Sequence, residues 1–201
     1  MTTEAPVFLL APPQRDEADY LTRLCLRSKQ HWGYDEKFMA TCRDELTITS
    51  ADFDRSRLMT ARINGKIAGV VQLTINRQEE NGKLSKLFVH PDYLHQGIGS
   101  ALYQWAVSSA RTQCISALLV DADPNAEAFY IRQGAIRIGE TPSESLPGRV
   151  LPLLLISLHW HRRCFFILSR RMCCQCRKIR FGKRQCGHRQ ISGIVCPPQF
   201  K

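Results

Sequence analysis

The sequence predicts a mixed α/β fold in which one central sheet carries helices on its faces, and three observations support this. Two apolar runs, residues 58–63 and 67–75, flank Asn64-Gly65, the dipeptide that best tolerates positive φ at both positions of a tight hairpin turn. Residues 87–101 run an apolar strand through a Pro-containing turn into two closely spaced glycines, Gly97 and Gly99, that open an amphipathic helix. Along residues 7–158, short apolar segments alternate with helical periods, so strands and helices must share one layered core.

Taken in order, residues 7–10 form a short apolar strand closed by Pro12-Pro13. Asp16 or a neighbour caps a helix whose inward face is Ala18, Leu21, Cys25 and Ser28. The loop His31-Trp32-Gly33-Tyr34-Asp35 leads to a second short helix through Phe38, Met39 and Cys42. The hairpin follows, and a polar stretch, residues 76–82, separates it from a strand over residues 83–89. The long helix presents Ile98, Ala101, Leu102, Trp105, Ala106 and Ser109 at three- and four-residue steps and ends near Arg111. Residues 116–120 read as a buried strand, and residues 125–133 as a helix with Phe129 inward and Gly134 at its C-cap. Strands at 135–139 and 150–158 flank a Pro/Ser/Gly loop and close the order β-α-α-β-β-β-α-β-α-β-β.

Charge and cysteine divide the 201 residues at about position 158. Residues 1–158 hold 17 Lys/Arg against 18 Asp/Glu, whereas residues 159–201 hold 11 Lys/Arg and no acid, so the net charge of +10 describes the tail. The expected organisation is a domain over residues 1–158 followed by a basic Cys/Arg-rich tail over 159–201. Cys25, Cys42 and Cys114 lie in the domain and the other six cysteines in the tail. Three scattered thiols make no disulfide framework, so a reducing, cytoplasmic setting is expected, with Cys114 inert. The first residues lack the charged and apolar regions of a secretory signal. The longest apolar run, residues 150–158, is about half of the roughly 20 residues that span a bilayer. It contains Pro152 and reads as a buried strand, so no membrane span is expected.

The strand–glycine turn–helix unit is a seat for a phosphate group. The first N–H groups of a helix lack intrahelical partners and carry partial positive charge, and glycine lets a bulky anion approach the backbone. Read with Asn125-Ala126-Glu127-Ala128-Phe129-Tyr130 and Gly134-Ala135 about 30 residues later, this unit resembles that of the GNAT-type N-acetyltransferases over residues 6–158. The resemblance implies the GNAT acyl-CoA transferase fold, a mixed and mostly antiparallel central sheet flanked by helices. It also implies acetyl-CoA as co-substrate, with no metal. The implied cofactor-binding residues are Leu87, Phe88 and Val89 along the pantetheine arm, His95, Gln96, Gly97, Ile98, Gly99 and Ser100 at the pyrophosphate, and Asn125 and Tyr130. Tyr130 is placed by the resemblance to protonate the departing thiolate, although it also reads as a half-buried aromatic of an amphipathic helix.

The expected reaction is transfer of the acetyl group to a primary amine, on a small molecule or a peptide, by direct attack in a ternary complex. A backbone N–H at Leu87 or Phe88 would hold the oxyanion. Amines are protonated at neutral pH, so a base is required. The family often places a glutamate on the strand before the glycine turn, whereas this chain reads Lys83-Leu84-Ser85-Lys86, and the opening position of the phosphate motif is Leu94 rather than Gln or Arg. His31, Asp35 and Asp121 are the candidate bases, with Tyr34 as a binding residue, and His31 and Asp35 are the catalytic candidates carried forward with Tyr130. Each has a plainer reading: His31 and Trp32 as cover for a helix end, Asp35 as an N-cap.

For the tail, three readings stand open: a metal knuckle from Cys173, Cys176, Cys186 and His188; a basic contact with nucleic acid or an acidic surface; and a solvated, disordered extension, the preferred one. The alternative function is a catalytically weak acyl-CoA-binding protein acting as a regulatory module through that tail. A homodimer is a further expectation, since strand-mediated dimers are common among relatives.

Overall fold

The computed structural model describes residues 7–158. The expectations for the first six residues and for the tail, including the metal knuckle and the basic contact, lie outside these residues. Seven strands form one sheet in the order β1-β2-β3-β4-β5-β7-β6, where β1 is Leu9–Ala11, β2 Arg57–Ile63, β3 Lys66–Asn76, β4 Asn81–Val89, β5 Ala117–Asp121, β6 Ile136–Pro142 and β7 Val150–Ser157. Every neighbouring pair is antiparallel except β4 and β5.

The helices pack on both faces because the strands are apolar on both. Residues 67–73 of β3 are buried without interruption, as a central strand covered above and below requires. On one face, α1 (Ala18–Gln30), α2 (Glu36–Thr41) and α3 (Arg43–Leu46) bury Leu21, Leu24, Cys25, Met39 and Leu46 against Leu58, Ile67 and Val70. On the other, α5 (Ile98–Thr112) buries Ile98, Leu102 and Ala106 against Ala68, Val71, Leu73 and Leu118, joined by Tyr130 of α6 (Pro124–Arg132). The sequence of elements thus agrees with the predicted mixed α/β sheet.

The differences are local and physical. Two four-residue helices, α3 and α4 (Asp52–Arg55), stand where the sequence reading had none, because one turn is too short to show a period. The polar residues 76–82 do not form a loop: β3 and β4 stay paired to Asn76 opposite Asn81, which leaves only residues 77–80 as the turn. Backbone pairing, not side-chain hydropathy, sets that boundary. Asp16 does not cap α1. Arg15–Glu17 is a 3-10 turn in which the Glu17 carboxylate accepts the Gln14 backbone N–H at 2.8 Å. The inward face of α5 is wider than predicted and adds Tyr103, Val107 and Ala110, while Ala101 and Trp105 stay partly exposed. The rotation follows from a second partner, since Tyr103 meets Phe129 and Tyr130 of α6 at ring separations of 6.3 and 6.4 Å.

Two features of β4 position the site. Opposite β3, Gln72 pairs with Lys86 and Leu73 with Leu84, so Ser85 is an extra residue that bends the strand. Toward β5, only Asn81, Gly82 and Lys83 are paired. Beyond Lys83 the strands part. Gly82 sits at the last secure junction, where an added Cβ would lie 2.9 Å from the Thr74 carbonyl oxygen and 2.8 Å from a Leu118 methyl. We expect Gly82→Ala to lower the unfolding free energy by about 1–3 kcal/mol in urea titration, because the backbone carbonyl cannot step aside.

Candidate active site

The gap between β4 and β5 opens a cavity of about 530 Å³. Its walls are β4 from Leu84 to Val89, the start of α5, the residues after β5, and one side of α6. Along β4 the backbone alternates. The His90 N–H donates to the Ala68 carbonyl at 2.8 Å, so the amide of Phe88 also faces β3, and those of Leu87 and Val89 face the open edge. Of the two amides named for the oxyanion, it is that of Leu87 that faces the open edge.

At the cavity's other end the chain turns into α5. His95 (φ 62°) and Gly97 (φ 81°) are both left-handed, which lifts the backbone into a concave loop just before the first helical turn. The first intrahelical bond runs from Ala101 N–H to the Gly97 carbonyl. Among the described residues, the amides of Gln96, Gly97, Ile98, Gly99 and Ser100 donate to no protein acceptor, as a helix N-terminus dictates. A Cβ on Gly97 would meet nothing within 4 Å, so the space above this backbone is open. The Ser100 hydroxyl accepts from Gln133 at 3.0 Å, which leaves both its O–H and its backbone amide as donors for an incoming anion. Leu87, Phe88, Val89, His95, Gly97, Ile98, Gly99, Ser100, Asn125 and Tyr130 all line the one cavity. Gln96 does not: its side chain folds back to the Asp92 carbonyl at 3.4 Å.

Tyr130 reaches the cavity from α6 and is 5 % exposed, edge-on to Phe129 at 5.2 Å. Burial, and secondarily the nearby Tyr103, push its hydroxyl well above the ordinary phenol range. It stays protonated at physiological pH and keeps an O–H to donate.

Opposite β4, residues far apart in sequence converge on Asp123. Its carboxylate caps α6 by accepting the Asn125 backbone N–H at 3.0 Å. It also accepts the Tyr34 hydroxyl at 2.9 Å, Lys29 Nζ at 3.3 Å and the Asn125 side-chain amide at 3.1 Å, with Arg149 3.6 Å away. Tyr34 OH in turn accepts from Arg149 at 2.9 Å. The Arg149 guanidinium lies over the Phe38 ring, 4.6 Å from its centroid, and Phe38 stacks on Tyr34 at 4.3 Å. Burial opposes the charge on Asp123, but the Asn125 N–H, Lys29 and Tyr34 outweigh it and hold the carboxyl below the usual range.

His31 and Asp35 are not brought to the cavity. Asp35 is the N-cap of α2 and accepts the Phe38 N–H at 2.7 Å; His31 is exposed, edge-on to Trp32 at 5.8 Å. The capping side chain is spent on the backbone, and the geometry corrects the sequence reading by giving the loop's cavity contact to Trp32 and its polar contact to Tyr34. Asp121 does line the cavity, with Lys83 Nζ 2.7 Å from its Oδ2. Lys86, on the strand where the family often has a glutamate, donates to Gln72 at 2.9 Å. Sequence reasoning missed Lys29, Asp123 and Arg149. The one local signal was Asp123-Pro124, a cap followed by proline at the first helical position.

The acetyltransferase (GNAT) family model matches residues 22–135, more than half of the chain. No curated protein matches the chain in sequence. Among solved structures, a GCN5-related N-acetyltransferase from Rhodopseudomonas palustris is 22 % identical with a TM-score of 0.63, covering 79 % of this chain and 99 % of its own. PaiA N-acetyltransferase from Thermoplasma acidophilum, solved with coenzyme A, is 16 % identical with a TM-score of 0.60, covering 75 % of this chain and 99 % of its own. The yncA protein of Salmonella typhimurium, solved with its cofactor acetyl-CoA, is 15 % identical with a TM-score of 0.56, covering 77 % and 96 %. At these identities the likeness is one of fold. Among the described residues, no helix is long and apolar enough to cross a membrane.

The Asp123 cluster predicts a pH signature. A carboxyl depressed in the folded state contributes stability that is present above its unfolded value, near 4, and lost as pH falls through the folded value. Asp123→Asn is therefore expected to cost about 2 kcal/mol at pH 7, since it leaves Lys29 and Arg149 without their carboxylate. Urea titrations between pH 7 and pH 3 should show the gap between wild type and variant narrowing below pH 4.

Proposed function

The chain belongs to the GNAT family of acetyltransferases, and from that premise we propose that it moves the acetyl group of acetyl-CoA to a primary amine by direct attack in a ternary complex. The observation that carries this reading is the single cavity with free helix-start amides at one end and the outward Leu87 and Val89 amides along its wall. The donor set fits the co-substrate. A diphosphate needs several N–H groups converging without a side chain in the way, which Gly97, Ile98, Gly99 and Ser100 supply. An arm of successive amides needs an unpaired strand edge, which β4 supplies beyond Lys83. Acetyl-CoA would bring an acetyl group activated as a thioester.

The remaining steps fall to the chain's own groups. The Leu87 N–H donates to the oxygen that gains charge when the amine adds. Tyr130, held neutral by burial, gives its proton to the departing sulfur. The proton lost by the amine needs an acceptor, and the two aspartates of the cavity differ in their freedom. Asp123 is committed to Lys29, Tyr34 and Asn125, whereas Asp121 has Lys83 as its one ion-pair partner among the described residues. Asp121 is thus the relay, directly or through water.

Acetyl-CoA titration and thiol-release assays against an amine panel test the reading. Tyr130→Phe is expected to lower kcat by about 100-fold, the lower end for a general acid, with acetyl-CoA affinity within about threefold of wild type. Asp121→Asn should lower kcat/KM by about 100-fold, whereas Lys83→Met should cost less than about tenfold. Equal losses in the Asp121 and Lys83 variants would reduce Asp121 to a structural ion pair.

A further inference from the structure

We propose that the acceptor is an amino carboxylate, a small molecule with a carboxylate beside its amine, and that Lys29 binds that carboxylate; this rests on the transferase reading above. Lys29 lies in the last turn of α1 with its side chain only 10 % exposed, and it lines the cavity shared by Leu87, Tyr130 and Asp121. An ammonium has three donors. Among the described residues Lys29 has one acceptor, Asp123 at 3.3 Å, a long contact, and its flanks are the faces of Tyr34 and Phe38, each 5.7 Å away.

The charge count around it does not close. Asp123 is the single carboxylate shared by two cations, Lys29 and Arg149, whose side chains are 10 % and 16 % exposed. Tyr34 cannot supply the missing negative charge, because burial and the Asp123 carboxylate both raise its hydroxyl above the ordinary range. The other carboxylates of the cavity are occupied elsewhere: Asp121 pairs with Lys83, and Glu45, exposed, accepts the Ser145 hydroxyl. A surplus cation withdrawn from water is costly unless an anion joins it, so the arrangement favours a ligand that brings one. The free amides at the start of α5 line the same cavity and are assigned to the diphosphate, so this second anion belongs to the acceptor. About 530 Å³ must hold both the acyl arm and the acceptor, which keeps the acceptor small.

The test is thiol-release kinetics on the full chain with matched trios: an amino acid, its amide and its decarboxylated amine, for instance phenylalanine, phenylalaninamide and phenethylamine, with the corresponding glycine and glutamate sets. Wild type is expected to favour the acid over both partners by at least about tenfold in kcat/KM, mainly through KM, in at least one trio. In Lys29→Met the acid-to-amide ratio should fall toward one, and Lys29→Arg should restore part of it. Because the trios are compared on wild type, the proposal stays testable if the methionine variant does not fold. Amides or plain amines acetylated as well as the acids overturn it, as does a Lys29→Met loss equal across each trio. Acetyl-CoA binding without acetylation of any trio member overturns it and leaves the cofactor site standing. Failure of the wild type to bind acetyl-CoA overturns both this inference and the transferase reading.

Discussion

The separation of β4 from β5 governs everything else in this molecule. Two adjacent parallel strands would ordinarily bond along their whole length, yet here pairing stops after Asn81, Gly82 and Lys83. The extra residue at Ser85 bends β4 just past that point, while β5 stays paired on its other edge with β7 from Ala117 to Asp121. A strand in the middle of a seven-stranded sheet thereby gains an edge, with the Leu87 and Val89 amides facing a cavity rather than a neighbour. Unsatisfied backbone donors inside a fold are costly unless water or a ligand meets them. The break in the sheet therefore fits the proposed binding site, and it is tolerated because the rest of β3 and β4 is firmly paired.

The two ends of the cavity handle charge by different physics. At the start of α5 no Lys or Arg is needed, because successive N–H dipoles and left-handed turns at His95 and Gly97 make an anion seat from the backbone alone. Such a seat needs no counter-charge when empty. At the end of α1 the means are formal charges, Lys29, Arg149 and Asp123, which interact strongly in their partly buried setting and must nearly balance. Discrimination among acceptors can reside in the second kind of site, where the charge and shape of the ligand complete the set.

The same distinction explains what the amino-acid sequence reveals. The Asn64-Gly65 hairpin, the glycine turn before α5 and the run from Asn125 to Tyr130 are legible because each is a short-range pattern fixed by local backbone geometry. Ten of the eleven residues assigned to the cofactor fall on one cavity because they belong to two such segments. The acceptor side was not legible, because Lys29, Tyr34 and Arg149 stand 94, 89 and 26 residues from Asp123, and only the tertiary fold joins them. His31 and Asp35 are candidates by residue type alone. In the structure the backbone has first claim on Asp35, since an aspartate before a helix is most cheaply used as its cap.

Asp123 ties the two halves of the chemistry together. As the N-cap of α6 it fixes the start of the helix that carries Tyr130 seven residues on, and as the partner of Lys29, Tyr34 and Arg149 it holds α1, the loop before α2 and the segment entering β7. A side chain that satisfies a helix end and a cluster of cations at once cannot shift for one without disturbing the other. An anion arriving at Lys29 would draw on the charge that Asp123 shares among its partners. With the acceptor's carboxylate bound there as proposed, the anchoring of α6, and with it the pose of the Tyr130 hydroxyl, would be coupled to acceptor occupancy through a single carboxylate, with no moving lid required.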